Sequence, residues 1–143
     1  MTVPSPTTVR QAAVLVALEG AAGVVAMVVY LVSGLAGADE PGLNKFGTAA
    51  WFAIIGGGVL AAGWALWTGR RWGRGVAVFA QLLLLPVSWY IAVGSHQWLF
   101  GIPVGVVALA TLALLFSPSA LQWLGAQDST DSARADNSGP DTR

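Results

Sequence analysis

One carboxylate, Glu19, stands inside a stretch of otherwise uncharged residues running from Gln11 to Leu35. An acid held away from water can bind a proton or a cation, or it can take a hydrogen bond from a neighbouring helix. Few other side chains in the chain offer chemistry. There is no cysteine, which excludes disulfides, iron–sulfur ligation and thiolate catalysis within it. The one histidine, His96, falls short of the several ligands that a metal or haem site takes, so no cofactor is expected. His96 lies beside Gln97 and Trp98, with no Ser or acid placed by a nucleophile motif, and no enzymatic activity is expected. Asp39 and Glu40 are neighbouring acids in a loop, and no further ligand is spaced to join them in holding a divalent ion. The formal net charge is zero, so nothing points to a nucleic-acid partner.

The elements that must position Glu19 are four apolar runs. Of 143 residues, 55% are hydrophobic and 10% charged, against about 25% charged in a soluble domain. A soluble chain this short has too little interior for that much apolar surface. A run of about 20 apolar residues, wound as a helix, matches the hydrocarbon thickness of a bilayer. The expected fold is therefore all-α: a polytopic membrane protein whose four transmembrane helices form a bundle. The spans are placed at about 11–35, 46–68, 76–93 and 98–116, within a domain covering 11–117. Residues 1–10, with Pro4 and Pro6, read as a flexible arm. Residues 118–125, with Leu121, Trp123 and Leu124, read as an interfacial segment. Residues 126–143 are polar and without apolar periodicity, and read as a disordered tail. Ala36-Gly37-Ala38 has the form of a signal-peptide cleavage site, but the apolar stretch before it is longer than the 7–15 residues of a signal core.

Orientation follows from the basic residues. If all four spans cross, the N-terminus, the 69–75 loop and the C-terminus share a side that carries Arg10, Arg70, Arg71, Arg74, Arg134 and Arg143. The other side carries Lys45 alone. The positive-inside rule then places both termini in the cytoplasm, an N-in/C-in arrangement in the plasma membrane. Trp64, Trp67, Trp72 and Trp123 fall near the cytoplasmic ends of spans, and Trp51, Trp89 and Trp98 near the outer ends, as aromatic belts at the two headgroup levels require. Arg70, Arg71 and Arg74 set topology and can touch anionic headgroups.

Small residues mark the packing faces. Ala49, Ala53, Gly57, Ala61 and Ala65 recur every four residues on one ridge of the second span. Gly101 and Gly105 form a small-xxx-small pair at the start of the fourth. Pro86 removes a backbone donor from the third span and predicts a kink. On the first span, the neighbours of Glu19 are mostly small, whereas Val14, Leu18, Val25, Val28, Val29 and Val32 form an opposite face suited to lipid. Glu19 lies nine residues beyond Arg10, about 13 Å along a helix. Gln81 lies seven beyond Arg74, about 10 Å from the same side. The two side chains are thus expected to meet as an interhelical hydrogen-bonded pair.

The basic Gly69-Arg70-Arg71-Trp72-Gly73-Arg74-Gly75 loop, the Ala80–Val87 segment AQLLLLPV and the Gln97–Pro103 segment QWLFGIP together resemble small four-helix integral membrane proteins of actinobacteria. The resemblance covers roughly residues 10–117. It implies the four-helix membrane fold and no functional residue. Two functions fit the residues themselves. In one, the chain is an accessory or structural subunit packing with itself, as a homo-oligomer, or with a larger membrane complex. In the other, it is a small oligomeric transporter or channel using Glu19. Its general partner in either case is the lipid bilayer.

Overall fold

A computed structural model describes residues 4–37 and 41–139. Asp39 and Glu40 fall outside them. The described residues are 86% helical and contain no strand. In order the helices are α1 (Thr7–Leu35), α2 (Lys45–Trp67), α3 (Arg71–Trp89), α4 (Trp98–Leu115) and α5 (Pro118–Asn137), with a π-helical turn at Tyr90–Gly94 extending α3. Four of these, with the π turn counted into α3, are long and apolar enough to cross a membrane.

Local chemistry sets the ends. Asn44 caps α2, its side-chain oxygen accepting the Gly47 amide at 2.9 Å, as N-cap residues do. The helix closes on Gly69, whose φ of 77° is open to glycine at little cost. Arg70 N donates to Ala65 O at 2.7 Å and Gly69 N to Leu66 O at 3.1 Å, the paired bonds of a Schellman ending. This turn consumes so little chain that α3 begins at Arg71, not near Val76. The expected seven-residue loop is largely helix. At its far end α3 runs through Pro86 and widens into the π turn, where Ser95 N reaches back to Tyr90 O at 2.9 Å.

α1 and α2 form the tightest hairpin. Their facing residues run in opposite directions: Ala17 by Gly63, Gly20 by Leu60, Gly23 by Gly56, and Gly34 by Phe46. A Cβ at Gly56 would lie 2.9 Å from the Gly23 carbonyl carbon, and one at Gly63 would lie 2.8 Å from Ala17 N. Tyr30 and Phe52 stack on the same seam, with ring centroids 5.7 Å apart. α3 and α4 pack likewise. α1 also touches α4, and α2 also touches α3. The helices therefore form a ring in chain order, with α1 and α3 on one diagonal. The main buried cluster sits at the end where α1 starts and α4 finishes, with Val9, Val16, Leu66 and Leu115 at its centre. Val14, Leu18, Val25, Val28, Val29 and Val32 all point outward.

α5 departs from the sequence expectation of an interfacial segment followed by a disordered tail. It is one helix to Asn137, started by the Ser117 cap and by Pro118 in its first turn. Pro suits that position because its missing amide would have had no partner there. The turn folds α5 back under the bundle, so Trp123 is only 5% exposed and joins the core cluster rather than an aromatic belt. Trp51, Trp64, Trp67, Trp72, Trp89 and Trp98 are exposed.

The α1–α2 seam gives a sharp contrast between adjacent glycines. A side chain at Gly56 meets backbone, whereas one at Gly57 meets nothing within 4 Å. Gly56→Leu is expected to cost about 1–3 kcal/mol or more by overpacking, while Gly57→Leu stays within about 0.5 kcal/mol as a surface change does. Denaturant titration of both variants in mixed micelles measures the difference.

Candidate functional site

Glu19 and Gln81 come together across the α1–α3 diagonal. Gln81 is fully buried. Its Nε2 donates to Glu19 Oε2 at 2.5 Å. Small residues make the approach possible. Gly20, next to Glu19, admits the backbone of α2 at Leu60. Gly73 and Ala77, two turns and one turn before Gln81 in α3, are buried, and a Cβ at Gly73 would meet Ala62 O at 2.8 Å. The remaining oxygens of the pair, Glu19 Oε1 and Gln81 Oε1, are buried and have no hydrogen-bond partner among the described residues. A buried acceptor left without a donor costs about 1–3 kcal/mol, so this pair is the place in the bundle interior with capacity for one more donor.

The other buried polar groups do not extend it. Ser88 Oγ donates to Leu85 O at 2.7 Å, and Thr111 Oγ1 to Val107 O at 2.8 Å. Both hydroxyls are spent on carbonyls of their own helices. His96 lies in the α3–α4 link with a φ of 54°, a turn conformation in which histidine is enriched. Among the described residues no three of His, Cys, Asp and Glu cluster as a metal site would need.

At the end of the bundle where α1 starts and α4 finishes, Arg10, Arg71 and Arg74 have structural partners. Arg10 of α1 stacks over Trp67 of α2, 4.4 Å from the ring centroid. Arg74 of α3 lies 5.0 Å from the Phe116 ring and donates through Nε and Nη2 to Leu115 O at 3.4 and 3.3 Å. That carbonyl is among the last of α4, where a cation is favoured by the helix dipole. Arg71 pairs through Nη2 with Asp128 and through Nη1 with Asp131 at 3.0 Å, both on α5. Gln127 Nε2 donates to Gly69 O at 3.3 Å. Arg70 is exposed. Reading the tail as disordered missed the two acids. Their spacing of three, which places them on one helix face, was the available signal.

The packing residues divide. Gly101 and Gly105 sit in the α3–α4 seam: a Cβ at Gly101 would lie 2.5 Å from Ala92 N, and one at Gly105 would lie 3.0 Å from Ser88 Oγ. Ala53 and Ala61 instead face outward, and Gly57 has open space beside it. The two ends of the ridge, Ala49 and Ala65, are buried, but the other α2 residues that meet neighbouring helices, Gly56, Ala62, Gly63 and Leu66, are offset from it. Apolar residues cover nearly the whole circumference of α2, so spacing of small residues alone did not tell the inner face from the outer.

No protein-family model, curated protein or solved structure matches the chain.

The Glu19–Gln81 bond is measurable as a coupling. A double-mutant cycle with Glu19→Ala and Gln81→Ala is expected to give about 0.5–2 kcal/mol of interaction energy, the range of hydrogen bonds between helices in lipid. Equal stability of the wild type, both single variants and the double variant would overturn the pairing.

Proposed function

We propose that the chain is an integral membrane protein of the plasma membrane, spanning it four times with both termini in the cytoplasm. In this reading it serves as an accessory or structural subunit that packs against a second copy of itself or a larger membrane complex. The observation that carries the packing role is the ridge of Ala53, Gly57 and Ala61. These three form the middle of the four-residue ridge, between the buried ends Ala49 and Ala65, and no described helix of this chain occupies them. In lipid such small-residue faces let backbones approach closely and drive association. The orientation is supported by Arg10, Arg70, Arg71 and Arg74 gathering at one end of the bundle, the pattern that faces the cytoplasm. The absence of any recognisable nucleophile, acid–base or ligand motif supports a non-enzymatic role.

Topology is tested by single cysteines at positions chosen to avoid buried glycines. Leu43→Cys, in the α1–α2 link, is expected to react with an impermeant thiol reagent in intact cells, and Ser138→Cys to react only after lysis. The reverse pattern overturns the orientation.

A second reading, transport, has one observation in its favour: the two partnerless oxygens at Glu19 and Gln81. Cross-linking and gentle solubilisation, followed by reconstitution, separate the two readings. For the subunit role, the wild type is recovered with a stoichiometric partner or as an oligomer, and Gly57→Leu with Ala61→Leu disperses it without unfolding. For transport, proteoliposome flux is present and is lost in Glu19→Gln. A monomeric wild type with no partner and no flux overturns both.

A further inference from the structure

The basic end of the bundle holds an open crevice of about 480 Å³, lined by Arg71, Trp72, Arg74, Gly75, Val78, Phe116 and Leu124. That volume falls within the range of small-ligand sites. Its lining divides by chemistry: two guanidinium groups, no acid, and an apolar wall contributed by three different helices or their ends. We propose that this crevice binds one anionic phospholipid, whose phosphate is taken by Arg71 and Arg74 and whose upper acyl carbons lie on Val78, Phe116 and Leu124. The inference rests on the membrane reading given above.

Position, charge and donor inventory support it independently. Arg71 is the first residue of α3 and Phe116 follows the last residue of α4, so the crevice sits where two apolar spans end. In a bilayer that is headgroup depth, and the half-exposed Trp72 beside it is the residue type that favours that level. A guanidinium has five N–H donors. Arg71 uses two of them on Asp128 and Asp131, and Arg74 uses two on Leu115 O, so each keeps three. Arg74 has no acid partner among the described residues, and its Phe116 contact fixes the plane of the fork without neutralising it. Bidentate donation from such a fork suits a phosphate.

α5 makes the site adjustable. Leu124 supplies part of the apolar wall, while Asp128 and Asp131, one and two turns further along, hold Arg71. A lipid phosphate therefore competes with the two tail carboxylates for the same guanidinium, and removing the carboxylates should strengthen lipid binding.

The test uses the full chain in a non-ionic detergent, with bound lipid counted by native mass spectrometry. Phosphatidylglycerol and phosphatidylcholine of matched acyl chains are the probes, and inorganic phosphate is the competitor. One phosphatidylglycerol is expected to be retained in preference to phosphatidylcholine and not to be displaced by phosphate. Arg71→Gln with Arg74→Gln should weaken it about 30-fold, at about 1 kcal/mol per basic residue. Asp128→Asn with Asp131→Asn should tighten it about fivefold, the upper end for an exposed ion pair. Equal retention of the two lipids, or unaltered retention in the double arginine variant, overturns the proposal. Displacement by phosphate replaces the lipid with a free anion and also overturns it. If the arginine variant does not fold, the aspartate pair decides, and no tightening counts against the site. Release of the wild-type chain from membranes by alkaline carbonate would instead overturn the membrane reading itself.

Discussion

The architecture depends on the backbone contact between α1 and α2. Gly20, Gly23, Gly56 and Gly63 carry no side chain where the two helices meet, and a Cβ on any of them would collide with backbone. Association at that distance is driven by dispersion and weak hydrogen bonds rather than by large interdigitating side chains. The consequence spreads outward. With the first hairpin thin, Ala62 and Leu66 of α2 are within reach of Gly73 at the start of α3. Their contact brings Gln81 across the diagonal to Glu19. A larger residue in the first seam would move the polar pair as well as the seam.

At the basic end, two kinds of interaction attach α5, and their magnitudes differ. The ion pairs from Arg71 to Asp128 and Asp131 join side chains that are 44%, 61% and 60% exposed. Exposed pairs of this kind contribute about 0–1 kcal/mol each. Trp123 is nearly fully buried, and covering about 150–250 Å² of an aromatic side chain is worth about 4–6 kcal/mol at 25 cal/mol per Å². The first turns of α5 are thus held by burial against Val9 and Leu115. The later turns are held by charges that salt and competing anions can reach. The helix is anchored at one end and adjustable at the other.

Much of this was legible in the sequence, for identifiable reasons. Apolar run length gave the four long helices because a span has to be continuous. The depth of Glu19 and Gln81 could be counted from Arg10 and Arg74 because helical rise is constant. The inner face of α2 was not legible. Both of its faces are apolar and rich in Ala and Gly, so the four-residue ridge of Ala53, Gly57 and Ala61 competed on equal terms with the seam that forms at Gly56 and Gly63. The start of α3 was misplaced because a basic, glycine-rich stretch was read as a loop, whereas only Thr68–Arg70 is needed to reverse the chain. α5 was missed because its composition is that of a disordered segment. Its Ser117 cap and Pro118 are local signals of a helix start, whereas its contacts with Gly69 and Arg71 are properties of the assembled bundle.

The hydrogen bond between Glu19 and Gln81 joins residues 62 positions apart, and that separation is also an interval of time. The first hairpin is complete at Trp67, so α1 and α2 can close on each other while Gln81 is still unmade. From Trp67 the ribosome has 14 more residues to add before Gln81 is made, about 1–3 s at about 5–20 residues per second. For that period Glu19 sits in a packed hairpin without its native donor. The arrival of α3 then does more than add a helix: it ends the isolation of an acid already committed to the interior.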